Sequence, residues 1–190
     1  MRLHLNKPGI RSLGVAESFK QGQRRSVLAG VVMRADFVID GVALGKTAVG
    51  GDDATSAIAS LFRKFRRNDI NLIMVSGAIL SLYNIIDVDG LAGRTKLPVI
   101  CLTYKETAGI EDSIRHHFPE GAESKLLAYR KLGRRTGVRL HTGQRVFVRS
   151  SGIEKDEIRQ VLDDFTFQGS IPEPVRVAKL LARAELSRAA

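Results

Sequence analysis

The sequence predicts an α/β protein built on a mixed sheet with helices on both faces. Three strand-like segments open the chain, at residues 12–17, 25–34 and 36–47, and a turn short enough for an antiparallel hairpin joins the last two. After them, apolar strands alternate with amphipathic helices, which is typical of strands covered on both sides. We therefore expect antiparallel strands that continue into parallel strands within the same sheet.

The middle of the chain predicts one amphipathic helix and two buried strands. The helix is expected over residues 52–68, where apolar side chains recur at helical spacing opposite a cationic face. The runs "INLIMVS" at 70–76 and "LPVICLTY" at 97–104 are continuously apolar, as in strands buried on both faces. The segment between them, "LSLYNIIDVDGLAGRT", is predicted to be helical at its start.

The last third of the chain predicts further helices and a second strand pair. Helices are expected near residues 109–117 and 121–133, and residues 137–151 form two strands around a turn at Gly143. Two amphipathic helices follow, in "EKDEIRQVLDDFT" and "PEPVRVAKLLARAELSR". This order of three antiparallel strands, a helix and a strand–helix–strand unit is that of the ribonuclease H-like fold, and we expect one domain over residues 1–190.

The composition indicates a folded protein. Apolar residues make up 44% of the chain and charged residues 26%, which are the proportions of a globular protein rather than a disordered one. No apolar run approaches the roughly 20 residues that span a bilayer. The first residues also lack the apolar segment of a secretory signal, so a cytoplasmic protein without a membrane partner is expected. The single cysteine, Cys101, is interpreted as a small buried residue.

The formal charge of +10 favours nucleic acid as a partner, because basic surfaces attract phosphate backbones. Cations are densest at residues 63–67 and 130–149. A solvated basic surface is the alternative interpretation, and an aromatic content of 6% gives no sign of a base-stacking platform. The candidate nucleic-acid-binding residues are Arg130, Lys131, Arg134, Arg135, Arg139 and Arg145.

The run "AVGGDDATSAI" at 48–58 places two adjacent carboxylates just before the first predicted helix. Asp is a favoured N-cap residue, and a negative charge suits the positive end of the helix dipole. The same carboxylates could instead ligate a divalent metal ion. We interpret Asp52 as the helix cap and Asp53 as the better candidate for a functional site.

Other polar residues are interpreted as structural. Asn84 and Asp87 are three residues apart and would share one face of a predicted helix. Asp40 lies within a predicted strand and is interpreted as a turn or edge residue. His116 and His117 are adjacent on a predicted helix, point in different directions and are interpreted as surface residues.

Three segments carry a resemblance to a known family: "GVAESF" at 14–19, "GGDDAT" at 50–55 and "VSGAILSLYNIIDV" at 75–88. Nearly the whole chain resembles an uncharacterised archaeal family, domain of unknown function number ninety-nine, whose members are distant relatives of endonuclease V. The similarity to endonuclease V itself covers about residues 11–105. It implies a ribonuclease H-like fold, a nucleic-acid substrate and Mg²⁺ or Mn²⁺ as cofactor.

The chemistry implied by this resemblance needs three carboxylates around one or two metal ions, which polarise the scissile phosphate and activate water. In the resembled family one Asp lies on the first strand, where this chain has Ala16, and another ends the fourth strand, where it has Ser76. The remaining acidic position matches Asp52 or Asp53. Because side chains alternate along a strand, we expect Glu17 to face away from Ala16 unless a bulge intervenes.

Three hypotheses about function follow. The leading one is a nucleic-acid-binding protein with a degenerate metal site, of which Asp53, Asp52 and Glu17 are the remnant. The second is an active metal-dependent nuclease in which Asp53 and Glu17 hold the metal with Asp52, Asp40 or Asp87. The third is a non-catalytic scaffold that binds a partner, or forms a homodimer, through its C-terminal helices.

Overall fold

In a computed structural model, the described residues, 9–106 and 109–188, form a seven-stranded mixed sheet and a separate two-stranded ribbon. The strands are β1 (Arg11–Ser18), β2 (Arg25–Arg34), β3 (Ile39–Ala48), β4 (Leu72–Ser76), β5 (Ile79–Leu80), β6 (Asn84–Ile85), β7 (Val99–Thr103), β8 (Thr136–Arg139) and β9 (Arg145–Ser151). The helices are α1 (Ala54–Lys64), α2 (Val88–Thr95), α3 (Glu111–His117), α4 (Ala122–Lys131), α5 (Lys155–Asp164) and α6 (Glu173–Arg188), and a 3-10 turn spans Ser81–Tyr83.

The strand order of the large sheet is β3-β2-β1-β4-β7-β9-β8. The first three strands in the sequence are antiparallel neighbours, whereas β4 pairs in parallel with both β1 and β7. At the far edge, β9 and β8 add two antiparallel pairings. The predicted α/β class and the ribonuclease H-like order of strands are confirmed.

Helices cover both faces of the sheet, as predicted. On one side, which we call the α1 face, α1 and α2 pack against side chains such as Leu13, Val15 and Ile73. On the other side, which we call the α6 face, α6 covers β1 and β2. Phe165, which directly follows α5, is buried on this face in a cluster that includes Met74. The central strands β4 and β7 each begin with four consecutive apolar residues, because burial on either face stabilises each large side chain by about 1.5–3 kcal/mol.

The C-terminal helix α6 lies directly on β1 because Gly14 has no side chain. A Cβ atom on Gly14 would lie 2.2 Å from the carbonyl carbon of Pro174 and 2.3 Å from its oxygen. Ala16, two residues further along β1, is also small and is buried with Val31 and Ala178. Small residues on this face of β1 therefore set the close approach of α6.

Strand β3 forms one edge of the sheet, and cations that follow the apolar part of α1 cap its open side. Lys64 Nζ donates to the Leu44 carbonyl at 2.6 Å, and Arg67 donates to the Asp40 carbonyl at 2.9 Å. The β2–β3 register skips Asp40, whose carboxylate pairs with Arg11 at 2.6 Å. The edge role expected for Asp40 is confirmed, and these cations protect a strand edge that could otherwise pair with another chain.

The segment after β4 is not the helix that the sequence predicted at this point. It forms β5, the 3-10 turn and β6, and α2 begins only at Val88. Leu82 and Tyr83 adopt positive φ angles of 44° and 61°, a strained backbone for side-chain-bearing residues. Asp87 caps α2 and Asn84 lies in β6, so the two do not share a helix face. Apolar spacing missed this turn because contacts with distant residues hold it.

Smaller interpretations from the sequence are confirmed. Cys101 is buried in β7, and burial raises the pKa of its thiol to about 12. His116 and His117 are exposed on α3. Within the described part of the chain, no helix is long and apolar enough to cross a membrane.

Replacing Gly14 by Ala is expected to lower the free energy of unfolding by about 1–3 kcal/mol, because the new methyl group must displace the backbone of α6. Gly93→Ala in α2 is the matched control, since a Cβ there meets no heavy atom within 4 Å. The control is expected to be neutral or to stabilise the protein by up to about 1 kcal/mol through helix propensity. Urea unfolding measures both, and equal stability of the Gly14 variant and the wild type would contradict the close packing.

Candidate functional site

Asp53 lies at the N-cap position of α1, but its side chain does not cap the helix. Its carboxylate accepts hydrogen bonds from Thr47 Oγ1 at 2.6 Å and from the Ala48 amide at 3.0 Å. Asn84 Nδ2 donates to the same carboxylate at 2.7 Å. Burial opposes ionisation of Asp53, but these hydrogen bonds outweigh it and hold its pKa below the ordinary value. Asp53 is therefore an anion fixed to the end of β3.

Asn84 is fully buried and joins three elements of the fold. Its Nδ2 also donates to Thr47 Oγ1 at 3.0 Å, and its Oδ1 accepts from the Ala54 amide at 2.9 Å. This last bond satisfies one of the free amides at the start of α1, which is the role the sequence assigned to Asp52. We call Thr47, Asp53 and Asn84 the Asp53–Asn84 cluster.

The prediction that Asp52 caps α1 is wrong. Its side chain is 80% exposed and accepts from Lys125 Nζ at 2.9 Å, because the chain turns Asp52 outward and leaves Asp53 at the N-cap position. Lys125 is buried, and it also donates to the carbonyls of Gly51 at 3.0 Å and Tyr83 at 3.2 Å. It ties α4 to the two loops beside the Asp53–Asn84 cluster. Sequence spacing gave no signal for Lys125, because these partners lie 42 to 74 residues away.

Glu17 ends β1 on the α1 face, and Ala16 faces α6, as strand alternation predicted. The Glu17 carboxylate accepts from the Ser81 amide at 2.8 Å and from Ser81 Oγ at 2.6 Å. The Ser81 carbonyl in turn accepts from the Gly50 amide at 3.0 Å. Glu17 is therefore linked through one residue to the loop that carries Asp53.

These residues do not fit the metal centre that the resemblance implies. Among the described residues, no group of three or more His, Cys, Asp or Glu side chains could hold a metal ion. Both carboxylate oxygens of Glu17 accept hydrogen bonds from Ser81. The two carboxylate oxygens of Asp53 accept hydrogen bonds from Thr47 Oγ1 and from the Ala48 amide. A carboxylate in place of Ala16 would be buried under α6, on the opposite face of the sheet. The predicted metal ligands, Asp53 and Glu17, are thus each held by neutral donors.

The remaining acidic candidates pair with cations instead of joining Asp53. Asp40 is bound by Arg11 at the edge of the sheet. Asp87 caps α2 and pairs with Lys131 Nζ at 3.1 Å. The rearranged set of carboxylates that an active nuclease would need is therefore not assembled among the described residues.

The basic residues predicted to bind nucleic acid lie near the opposite edge of the sheet. In β9, Val146 and Val148 are buried on the α6 face. Arg149 pairs in register with Cys101, which faces α1. Because side chains alternate, Arg145, Phe147 and Arg149 project from the α1 face, on the same side of the sheet as Glu17.

Four arginines converge on one cavity of about 390 Å³ between α4 and the β8–β9 pair. The guanidinium carbons of Arg135 and Arg145 lie 5.7 and 5.2 Å from the centre of the Phe147 ring. The guanidinium carbon of Arg149 lies 5.8 Å from the centre of the Tyr129 ring. We call this the arginine cavity, and its lining consists of Glu106, Gly109, Tyr129, Gly133, Arg134, Arg135, Gly137, Arg145, Phe147 and Arg149.

The arginine cavity is strongly cationic. Glu106 is the only acidic side chain among the described residues that line it. Burial lowers the pKa of Arg149, contact with Tyr129 raises it, and the nearby Arg135 lowers it again, with a net downward direction. Positive charge is thus concentrated around one half-buried guanidinium group, that of Arg149, which favours binding of an anion.

The structure divides the six predicted basic residues. Arg134, Arg135 and Arg145 line the arginine cavity, whereas Lys131 pairs with Asp87 beside a neighbouring cavity. The other two, Arg130 and Arg139, are exposed and do not line the arginine cavity. Sequence reasoning left Arg149, Phe147 and Tyr129 out of the binding set. The alternation in "RVFVRSS" was the signal that could have placed the first two with Arg145.

Replacing Asp53 by Asn is expected to lower the free energy of unfolding by about 1–3 kcal/mol at neutral pH, because charge-assisted hydrogen bonds are lost. The pKa of Asp53 is lower in the folded protein than its ordinary value of 3.8. The ionised carboxylate therefore stabilises the fold above that value, and the stabilisation disappears as pH falls through the folded-state pKa.

The stability difference between wild type and Asp53→Asn should accordingly shrink between about pH 7 and pH 3 in urea titrations. Asp112→Asn, which changes a fully exposed carboxylate on α3, is the control and should alter stability by less than about 0.5 kcal/mol. A difference that is constant across this pH range would contradict the assignment of Asp53 as a stabilising anion.

The family described as Endonuclease dU matches residues 8–186 of the chain. A UPF0215 protein of Pyrobaculum aerophilum is 35% identical over 173 residues, which cover 90% of this chain and 92% of the relative. A UPF0215 protein of Pyrobaculum calidifontis is 36% identical over 180 residues, which cover 93% of this chain and 98% of the relative. The archaeal relatives expected from the sequence are confirmed, whereas the family number ninety-nine stays a prediction.

Solved structures share the fold. A protein of unknown function from Archaeoglobus fulgidus superposes with a TM-score of 0.79 and 23% identity, covering 93% of this chain and 98% of that one. Human ENDOV superposes with a TM-score of 0.67 and 15% identity, covering 100% of this chain and 91% of that one. Endonuclease V of Ciona intestinalis superposes with a TM-score of 0.63 and 14% identity, covering 96% of this chain and 88% of that one. That structure is a complex with a 24mer DNA containing an inosine followed by a ribo-adenosine. With the endonuclease V-type fold and the match over residues 8–186, the chain belongs to the endonuclease dU family.

Proposed function

We propose that this protein binds nucleic acid through the arginine cavity and that its metal site is degenerate. The observation that carries the proposal is the convergence of Arg134, Arg135, Arg145 and Arg149 on one cavity, whose described lining contains a single acidic side chain. Guanidinium groups bind phosphate oxygens through paired, charge-assisted hydrogen bonds. The DNA bound to the Ciona intestinalis endonuclease V gives the same partner class in a protein of similar fold.

Aromatic rings prepare these arginines for a ligand. Phe147 contacts the guanidinium groups of both Arg135 and Arg145, so each cation is held near a fixed surface before phosphate arrives. Holding long side chains in place reduces the conformational entropy that is lost on binding. The few aromatic residues of this chain thus support its arginines instead of forming a base-stacking platform.

Helix α4 connects the arginine cavity with the Asp53–Asn84 cluster. Tyr129 of α4 contacts Arg149, and Lys125 of the same helix binds the Gly51 carbonyl beside the cluster. We assign the cluster, together with Glu17 and Asp52, a structural role as the remnant of a metal site. In this proposal residues 1–190 act as one endonuclease V-like domain, without Mg²⁺ or Mn²⁺ chemistry.

The scaffold alternative has less support because the C-terminal helices use their apolar sides within the fold. Val175, Ala178 and Ala182 of α6 are buried in clusters with strands of the sheet. Ile158 and Leu162 of α5 are buried in the cluster on the α6 face. Among the described residues of these two helices, Leu180 is the one large apolar side chain that is exposed, which leaves little apolar surface for a partner or a second copy.

Binding to DNA is expected to weaken with salt, because each phosphate contact releases bound counterions. Arg145→Met should weaken binding of a labelled single-stranded oligonucleotide about 3- to 10-fold at low salt and make the log–log salt slope shallower by about 0.7. Arg183→Met removes the same charge from exposed α6 and is the matched control. Fluorescence anisotropy measures both. A salt-independent affinity, or equal losses in the two variants, would count against the arginine cavity as the binding site.

A second candidate function, nucleic-acid hydrolysis, is favoured by one observation, the match to the family described as Endonuclease dU. Because the carboxylates present do not form a metal centre, we expect no Mn²⁺-dependent cleavage of uracil-containing, inosine-containing or unmodified DNA and RNA. The assay compares the wild type with Asp53→Ala and Glu17→Gln, each checked for folding by circular dichroism. Cleavage by the wild type that either folded variant abolishes would establish the nuclease and overturn the degenerate site.

A further inference from the structure

The arginine cavity is constructed to hold its cations in fixed positions. Gly137 of β8 makes room for Arg145, since a Cβ at Gly137 would lie 2.8 Å from Arg145 Nη2 and 2.9 Å from Nε. Any larger residue on β8 would therefore push this guanidinium away. The glycine and the Phe147 ring together fix the arginine from two directions.

Arg149 is half-buried in the cavity, whereas Arg134 and Arg145 are exposed. Its Nε donates to the Gly133 carbonyl at 3.2 Å, and the Tyr129 ring lies beside its guanidinium group. A guanidinium group has five N–H donors, so this bond leaves most of them for other acceptors. A half-buried cation that lies near a second cation, Arg135, is stabilised when an anion binds against it.

The charge of the cavity exceeds what one backbone phosphate supplies. Among the described residues that line the cavity there are four guanidinium groups and one carboxylate, that of Glu106, so the net charge of this lining is positive. A phosphodiester carries one negative charge, whereas a terminal phosphate monoester carries about 1.5 to 2 at neutral pH and has three strong acceptor oxygens. A monoester therefore matches both the number of donors and the charge better than a backbone phosphate does.

We propose that the arginine cavity is the binding site for a phosphate monoester at the end of a nucleic-acid strand. The inference rests on the proposed function and makes it more specific. Arg145 and Arg149 bind the terminal phosphate, and the Phe147 and Tyr129 rings keep these two guanidinium groups in place. The remainder of the strand contacts the exposed cations nearby, such as Arg139.

The test compares three single-stranded DNA oligonucleotides of one sequence, with a 5′-phosphate, a 3′-phosphate or hydroxyl groups at both ends. The full-length protein should bind one phosphorylated strand about 5- to 20-fold more tightly than the hydroxyl strand. Arg145→Met and Arg149→Met should reduce this ratio towards one. The control Arg183→Met should keep it. Arg145 is exposed, so its variant tests the site even where the loss of the enclosed Arg149 disturbs folding.

The pH dependence provides a second measurement. The second ionisation of a phosphate monoester has a pKa of about 6, so the ratio should rise between about pH 5 and pH 7.5. Binding of the hydroxyl strand should not follow this rise. A ratio that stays constant with pH would contradict recognition of a terminal phosphate.

The outcomes separate this inference from the proposed function. Equal binding of all three strands, weakened equally by Arg145→Met, would overturn the terminal site and leave nucleic-acid binding intact. Absence of binding to every strand would overturn both. Deoxythymidine monophosphate is added as a competitor, and displacement of the phosphorylated strand at equal concentration would identify a free mononucleotide as the ligand, against a strand end.

Discussion

The sheet is covered on both faces, and this constraint determines which polar side chains can meet. Each residue of a central strand must face either α1 or α6, so neighbours in the sequence are separated by the whole thickness of the sheet. Ala16 is buried under α6, whereas Glu17 reaches Ser81 on the α1 face. The same alternation brings Arg145 and Phe147 together on the α1 face. Both candidate sites therefore lie on one side of the protein.

Within that side, a neutral amide takes the central place in the acidic cluster. Asn84 donates a hydrogen bond to the Asp53 carboxylate and accepts one from the first amide of α1. It therefore supplies hydrogen bonds to both groups without adding a charge. A buried group with complete hydrogen bonds stabilises a fold, whereas an unpaired one costs about 1–3 kcal/mol. Asn84 thus holds the carboxylate of Asp53 and Ser81 holds that of Glu17, with the strained backbone at Leu82 and Tyr83 between these two residues.

The cations of the chain have different roles in the structure. Lys64 and Arg67 bind carbonyl groups at the edge of β3, and Lys125 is buried between loops, so these cations have partners within the fold. The cations that converge on a cavity come instead from the turn between α4 and β8, which carries Arg134 and Arg135, and from β9, which carries Arg145 and Arg149. A charge total thus indicates a class of partner, while the positions of the cations indicate the binding surface.

The sequence by itself determined the α/β class, the positions of the main strands along the chain and the two-sided burial, because apolar periodicity reports local burial directly. It also determined that Glu17 and Ala16 face apart, and that Ser76 brings a neutral hydroxyl where the resembled family has a carboxylate. Only the tertiary structure decided that Asn84 rather than Asp52 supports the start of α1, and that Lys125 is buried. It alone brought Arg149 beside Tyr129. These contacts join residues far apart in the chain, and the energy of a buried polar group depends on partners that no local pattern contains.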